Sequence, residues 1–160
     1  HTAAELARDP RLATLGPDPL APAFDDRVAR ERLRARGNTT FDEALLDQRV
    51  MAGLGNVFKS EVLFLAGVHP FTPVAAVADE TLDRVVALSM KLLRANVVDG
   101  RAGPVTYTGM RRTTGRADPS ARLWVYGRAG QPCRRCGTPI TLERRGEHAR
   151  STYFCPRCQR

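Results

Sequence analysis

The chain is 160 residues long, 42% apolar, and carries 25 Lys and Arg against 17 Asp and Glu, a formal charge of +8. That length holds one domain or two small ones around a modest core, and no apolar run approaches the ~20 residues that a membrane-spanning helix needs. Four cysteines in a chain of this size, with no signal peptide at the start, argue against a disulfide-stapled secreted domain, so a cytoplasmic protein with no membrane association is expected. The surplus charge is uneven, with seven arginines from Arg94 to Arg128 and only Asp99 and Asp118 as acids. A polyanion is the natural partner of that segment, although an arginine-rich coding bias accounts for the surplus equally well, since only Lys59 and Lys91 are lysines.

Pro10, Pro17, Pro19 and Pro22 follow soon after the start at His1, and residues 1–22 read as a linker into the downstream part of a longer protein. Asp25 or Asp26 can cap a short charged helix that runs through Arg34 and is stopped by Arg36-Gly37-Asn38. Thr40-Phe41-Asp42-Glu43 has the form of a capping box, with a hydroxyl for the amide three residues on and a carboxylate that reaches back. The helix it opens should carry Leu45, Leu46 and Val50 inward and run into Gly53-Leu54-Gly55-Asn56, where the two glycines end it. A second helix starts from Asn56, buries Val57, Val62, Leu63 and Phe64, and closes at Gly67 and Pro70. Asp79 caps a long helix in which Leu82, Val85, Val86, Ser89, Leu92, Leu93 and Asn96 form one stripe at 3.6-residue spacing, most of it core. From Gly100 to Arg122 the glycine, threonine and arginine content predicts irregular structure.

The turn between the second and third of these helical segments has a chemistry of its own. Gly53 and Gly55 let the backbone approach a ligand closely, the amides that open the next helix point outward, and Asn56 adds a side-chain amide at the same place. This arrangement would grip a phosphate. Spacing alone favours the plainer reading of a helical hairpin whose glycines only permit tight packing.

All four cysteines fall in two Cys-x-x-Cys pairs, Cys133 with Cys136 and Cys155 with Cys158, separated by 18 residues. A tetrahedral Zn2+ takes four thiolates, and two such turns supply them in pairs while the stretch between returns as a β-hairpin. Gly137 follows the first pair where a knuckle needs positive φ, and Pro132 and Pro156 stiffen the approaches. One structural zinc is therefore expected, because four protein thiolates leave no open position for substrate.

The run from Leu46 to Phe64, with Gly53-Leu54-Gly55-Asn56 at its centre, followed by Ala66-Gly67-Val68-His69-Pro70, resembles the helix-two-turn-helix of the formamidopyrimidine-DNA glycosylase and endonuclease VIII family. The ending, Val125-Tyr126-Gly127 through Cys133 and Cys136 to Ile140, then Arg150-Ser151-Thr152-Tyr153-Phe154-Cys155, is similar to the same family's zinc finger. Arg11 to Leu20 is similar to the segment that leaves the family's first domain. The resemblance covers nearly the whole chain. It implies a mainly α fold with a small zinc-bound β-hairpin: a linker over 1–22, a helix-two-turn-helix DNA-binding domain with a basic irregular segment over 23–122, and a zinc finger over 123–160.

The resemblance also implies roles for single residues. Asn56, with the Gly53 to Gly55 backbone, matches the residues that hold phosphates beside a lesion, and Lys59 is placed to assist. Arg150, five residues before Cys155, matches the arginine that binds phosphates flanking a flipped nucleotide and is credited with helping δ-elimination. The implied partner is double-stranded DNA with a damaged base or an abasic site, bound by a monomer in the bacterial cytoplasm and nucleoid. The family's chemistry starts from an N-terminal proline amine with an adjacent glutamate, whereas this chain starts His1-Thr2 and Pro10 is an internal tertiary amide. We therefore expect a DNA-binding half that is inactive by itself. A Gly-Gly-Ser/Thr-x-x-Arg-Asp-Phe-like stretch typical of the formamidopyrimidine branch is not found in Gly100 to Leu123, which favours oxidised pyrimidines over oxidised purines as the parent's substrate. The competing expectation is a non-catalytic nucleic-acid-binding protein on the same scaffold.

Overall fold

The computed structural model describes residues 15–96, 113–115, 121–146 and 149–160. Helix α1 spans Asp26–Arg34, and the Asp25 carboxylate caps it by accepting from the Arg27 N–H at 3.0 Å. Helix α2 is short, Phe41–Leu46, and the capping box expected at its start does not form. The Thr40 hydroxyl donates to the Asp42 carboxylate instead, while the Phe41 and Asp42 amides donate to the Thr72 and Pro70 carbonyls. A neighbouring strand of backbone has replaced the side-chain cap, so the orphan amides are satisfied by tertiary structure.

Helix α2 also stops before the glycines. Asp47 turns extended (ψ 108°) and its carboxylate accepts from the Arg49 amide and guanidinium, a local turn that competes with helix. Leu45 and Val50 are buried as expected, while Leu46 is only half-buried. Helix α3 then runs Asn56–Ala66 and ends at Gly67; Val57 is half-buried and Phe58 takes the core position beside it. A 3-10 turn at Val74–Ala76 leads into α4, Asp79–Ala95, where Asp79 lies in the first turn with Ala78 as the cap. The whole α4 stripe, Leu82 through Asn96, is buried. Most of the basic segment expected to be irregular lies outside the described residues.

The hairpin pairs β1, Thr141–Arg145, antiparallel with β2, Arg150–Phe154, in a register that sets Thr141 opposite Phe154 and Arg145 opposite Arg150. Two apolar cores result. The helical one gathers Leu33, Phe41, Leu45, Leu63, Leu82 and Leu93; the smaller one gathers Phe64, Val125, Cys133, Ile140 and Cys155. Helix α3 belongs to both, because Phe58, Val62 and Leu63 face the helices while Phe64 stacks on Trp124 with centroids 5.4 Å apart. Residues 15–17 lie along the α2–α3 turn, with Gly16 N–H on the Gln48 carbonyl and Ala52 N–H on that of Pro17.

Between the two cores lies a buried polar run, Lys59-Ser60-Glu61, in the middle of α3. The Glu61 carboxylate accepts the backbone N–H groups of Trp124 (2.6 Å), Val125 (2.9 Å) and Tyr126 (3.3 Å), and the Thr113 hydroxyl. Burial pushes this carboxyl above its ordinary value, against the pull of those four donors. Replacing Glu61 with Ala would strand the donors away from water, so we expect a loss of about 3 kcal/mol or more in urea unfolding. An unchanged midpoint would mean that the contact is not made in solution.

Candidate nucleic-acid interface and metal centre

The four cysteine Sγ atoms all lie within 4.8 Å of one another. Cys133 and Cys158 are 3.9 Å apart and Cys136 and Cys155 3.4 Å, close to the ~3.8 Å edge of a tetrahedron with ~2.3 Å zinc–sulfur bonds. Each knuckle turns an amide onto a sulfur: Arg135 N–H onto Cys133 and Cys158 N–H onto Cys155, both at 3.4 Å. Gly137 takes the positive φ expected of it, 78°. Hydrogen bonds from Thr138 pull the Cys136 thiol down to about 6, while burial and then the neighbouring sulfurs push Cys158 up to about 12. Such a cluster cannot hold four negative charges unaided, and a dication removes that conflict. The cysteines are positioned to bind one zinc ion, whose contribution is a fixed crosslink between the knuckles.

That crosslink positions the hairpin. Arg135, inside the first knuckle, lays its guanidinium over the Phe64 and Trp124 rings at 4.9 and 5.0 Å. Behind the second, the Gln159 side chain accepts from the Cys155 N–H at 2.8 Å and donates to the Val68 carbonyl at 3.0 Å. His69, Phe71 and Phe154 form an edge-to-face cluster, and Arg145 caps it at 3.9 Å from the Phe71 centroid. Both ends of the hairpin are thereby seated on the turn that follows α3.

The residues expected to meet phosphate lie on the turn before α3, on α3 itself and at the start of β2. Gly53 is exposed with φ 90°, a conformation that side chains disfavour, and its amide donates to the Gln48 side chain at 2.8 Å. Gly55 is exposed and precedes α3 with no side-chain cap. The amides of Asn56 and Val57 open the helix and sit at the positive end of its dipole. Asn56 is half-buried beside them. Arg150 opens β2 and is exposed; no hydrogen bond or ion pair of its guanidinium is found among the described residues. It lines a cleft with Asp42, Glu43, Leu46, Asp47, Lys59, Arg145 and Gly146.

Lys59 departs from its expected place. Its side chain is 1% exposed and its ammonium donates inward, to Asn56 Oδ1 at 2.6 Å, Thr152 Oγ1 at 2.8 Å and the Ser151 carbonyl at 3.2 Å. Burial lowers its pKa from 10.5 to about 8, Asp42 opposing that shift and Arg150 adding to it. A pKa of about 8 leaves the ammonium mostly protonated at neutral pH. Sequence reasoning missed Ser60, Glu61, Thr152 and Gln159 as the polar joints of this interface; the one available signal was three consecutive polar residues inside an apolar helix.

A helix-two-turn-helix whose second helix carries a docked four-cysteine finger defines a class of nucleic-acid-binding architecture. Residues 15–107 match the formamidopyrimidine-DNA glycosylase H2TH domain, and residues 130–160 match the zinc finger found in FPG and IleRS. The chain belongs to the formamidopyrimidine-DNA glycosylase family.

Among relatives, a probable endonuclease 8 2 of Streptomyces coelicolor is 46% identical over 91% of this chain and 49% of its own length. The DNA-(apurinic or apyrimidinic site) lyase Nei2 of Mycolicibacterium smegmatis is 45% identical over 92% and 54%, and a formamidopyrimidine-DNA glycosylase of Geobacillus kaustophilus 40% over 98% and 55%. The chain spans about half the length of these relatives. In structure it is similar to the MutM (Fpg) protein of Thermus thermophilus, with a TM-score of 0.72 and 31% identity over 94% of this chain and 55% of that one. It is similar also to Lactococcus lactis Fpg in complex with abasic-site DNA, with a TM-score of 0.73 and 27% identity over 100% and 57%.

Trp124 is the single tryptophan and is stacked between the zinc knuckle and α3, so it reports on the metal. Stripping zinc with a chelator should change its emission and abolish the hairpin while most helical circular dichroism remains. Unchanged emission after the metal is gone would contradict a zinc-dependent docking.

Proposed function

We propose that this chain is the DNA-holding part of a base-excision-repair enzyme, a DNA glycosylase with abasic-site lyase activity that acts on oxidised bases. The observation that carries the reading is the union, through Lys59, of the Gly53–Asn56 turn with the strand that begins at Arg150. The turn offers helix-terminal amides and a carboxamide, and the strand offers a guanidinium with no acid partner among the described residues, so two separate grips are joined through one lysine. Phosphodiesters suit both, since they need donors and positive charge but carry no base identity. Relatives described as glycosylases and lyases support the same reading.

The division of labour follows the sequence expectation: 1–22 as linker, its packed end included, 23–122 as the helical DNA-binding domain and 123–160 as the finger. Arg150 would stabilise phosphate during the second elimination. The buried Lys59 is not the attacking amine, because all three of its donors are engaged. Oxidised pyrimidines are the favoured substrate. Identities of 45–46% to endonuclease 8 and Nei2 relatives, against 40–42% to glycosylases of the formamidopyrimidine type, support that choice. We take the working form to be a monomer on the bacterial nucleoid.

The test is fluorescence anisotropy with a duplex that carries one abasic site, run beside borohydride trapping. Asn56→Ala and Arg150→Ala should each weaken binding by about tenfold, and only Arg150→Ala should lower the salt slope, by about one. No covalent adduct is expected. An adduct would overturn the assignment of the nucleophile to other residues, and salt-insensitive or absent binding would overturn the DNA reading.

A further inference from the structure

We infer that Lys59 is a positioning residue: its buried ammonium locks the Asn56 carboxamide with Nδ2 turned away from it and ties that grip to the strand bearing Arg150. The inference rests on the DNA-binding reading above and adds to it a residue that acts without touching phosphate.

An ammonium has three hydrogens and accepts nothing. Here the three are met by three oxygens, Asn56 Oδ1, Thr152 Oγ1 and the Ser151 carbonyl. No hydrogen is left for a phosphate, and the side chain is 1% exposed. A lysine can only be faced by the oxygen of an asparagine, so the 2.6 Å contact fixes Oδ1 inward and turns Nδ2 away from the ammonium. An Asn56 free to flip would offer an anion its oxygen as readily as its nitrogen, and would lose rotamer freedom on binding. Lys59 removes both penalties in advance.

The same nitrogen reaches Ser151 and Thr152, 92 and 93 residues further along the chain. Arg150 is the next residue back from Ser151, so the carboxamide and the guanidinium share one anchor. Ser60 repeats the connection one residue on, its hydroxyl accepting the Tyr153 N–H at 3.3 Å. The charges facing Lys59 are Asp42 from α2 and Arg150 from β2, with Glu43, Asp47 and Arg145 lining the same cleft. Asp42 holds the cation in place, and its own oxygen is satisfied by the Thr40 hydroxyl.

The experiment is a double-mutant cycle on the zinc-loaded 160-residue chain, read by anisotropy on a duplex with one abasic site. Lys59→Met should weaken binding by about tenfold in the native background but by less than about twofold where Asn56 is already Ala, because both changes remove one grip. Its salt slope should equal that of the unmodified chain. An equal loss in both backgrounds, a slope lower by about one, or no loss at all would overturn the inference, the second by showing direct phosphate contact. If Lys59→Met does not melt cooperatively, Thr152→Val carries the comparison, since it withdraws one acceptor and keeps the ammonium. A loss seen only with Asn56 present supports positioning, and an equal loss or none overturns it. Failure of the unmodified chain to bind duplex would overturn the DNA reading and this inference with it, and is thereby distinct from every other outcome.

Discussion

The structure depends on three consecutive polar side chains buried in the middle of α3. Lys59, Ser60 and Glu61 all reach out of the helical core and hydrogen-bond to the zinc-bound part, at Ser151 and Thr152, at Tyr153, and at Trp124 to Tyr126 respectively. Burying polar groups in a helix is costly unless each finds a partner, and here each of the three finds at least one on the other body. The run therefore works as a docking code. A shift of one residue along α3 would leave buried donors and acceptors unmatched, so the two bodies have one mutual arrangement.

The finger has too little apolar surface to stand alone. Its core is Phe64, Val125, Cys133, Ile140 and Cys155, and the Phe64 in it is borrowed from α3. Zinc closes the two knuckles, and the aromatic and polar contacts then seat the hairpin on the helices. Metal, hairpin and the exposed Arg150 form a chain of dependence: loss of the ion would release the strand and with it the guanidinium. The α3 N-terminus, with Gly55 and Asn56, belongs to the rigid end of the same chain. On the proposed DNA-holding reading, two phosphate grips on separate elements would gain affinity from a separation fixed before DNA arrives, and the Lys59 contacts join the two elements.

The zinc site was legible from cysteine spacing alone, since a tetrathiolate requires little more than two short turns and a return. The helices were legible where periodicity was long, as in α4, whose whole stripe is buried. Local rules failed where tertiary structure supplied the same service. The Thr40 cap was displaced by the carbonyls of Pro70 and Thr72, and α2 ended early because the Asp47 carboxylate pulled its own following backbone into a turn. Gly53 and Gly55 are exposed at the turn and Asn56 is half-buried at the start of α3, the positions from which their proposed phosphate grip is argued. The inward role of Lys59 was not legible, because its acceptors lie more than 90 residues away and nothing in the local sequence points to them.

We propose that the α3 turn and the hairpin strand present one continuous phosphate-binding face. The most direct measurement is a two-dimensional 15N NMR titration of the zinc-loaded chain with an abasic-site duplex. The amides of Gly53, Gly55 and Asn56 and those of Arg150 and Ser151 should shift together with a single apparent affinity, and the outer face of α4 should stay still. Shifts confined to one of the two segments, or separate affinities for each, would contradict it.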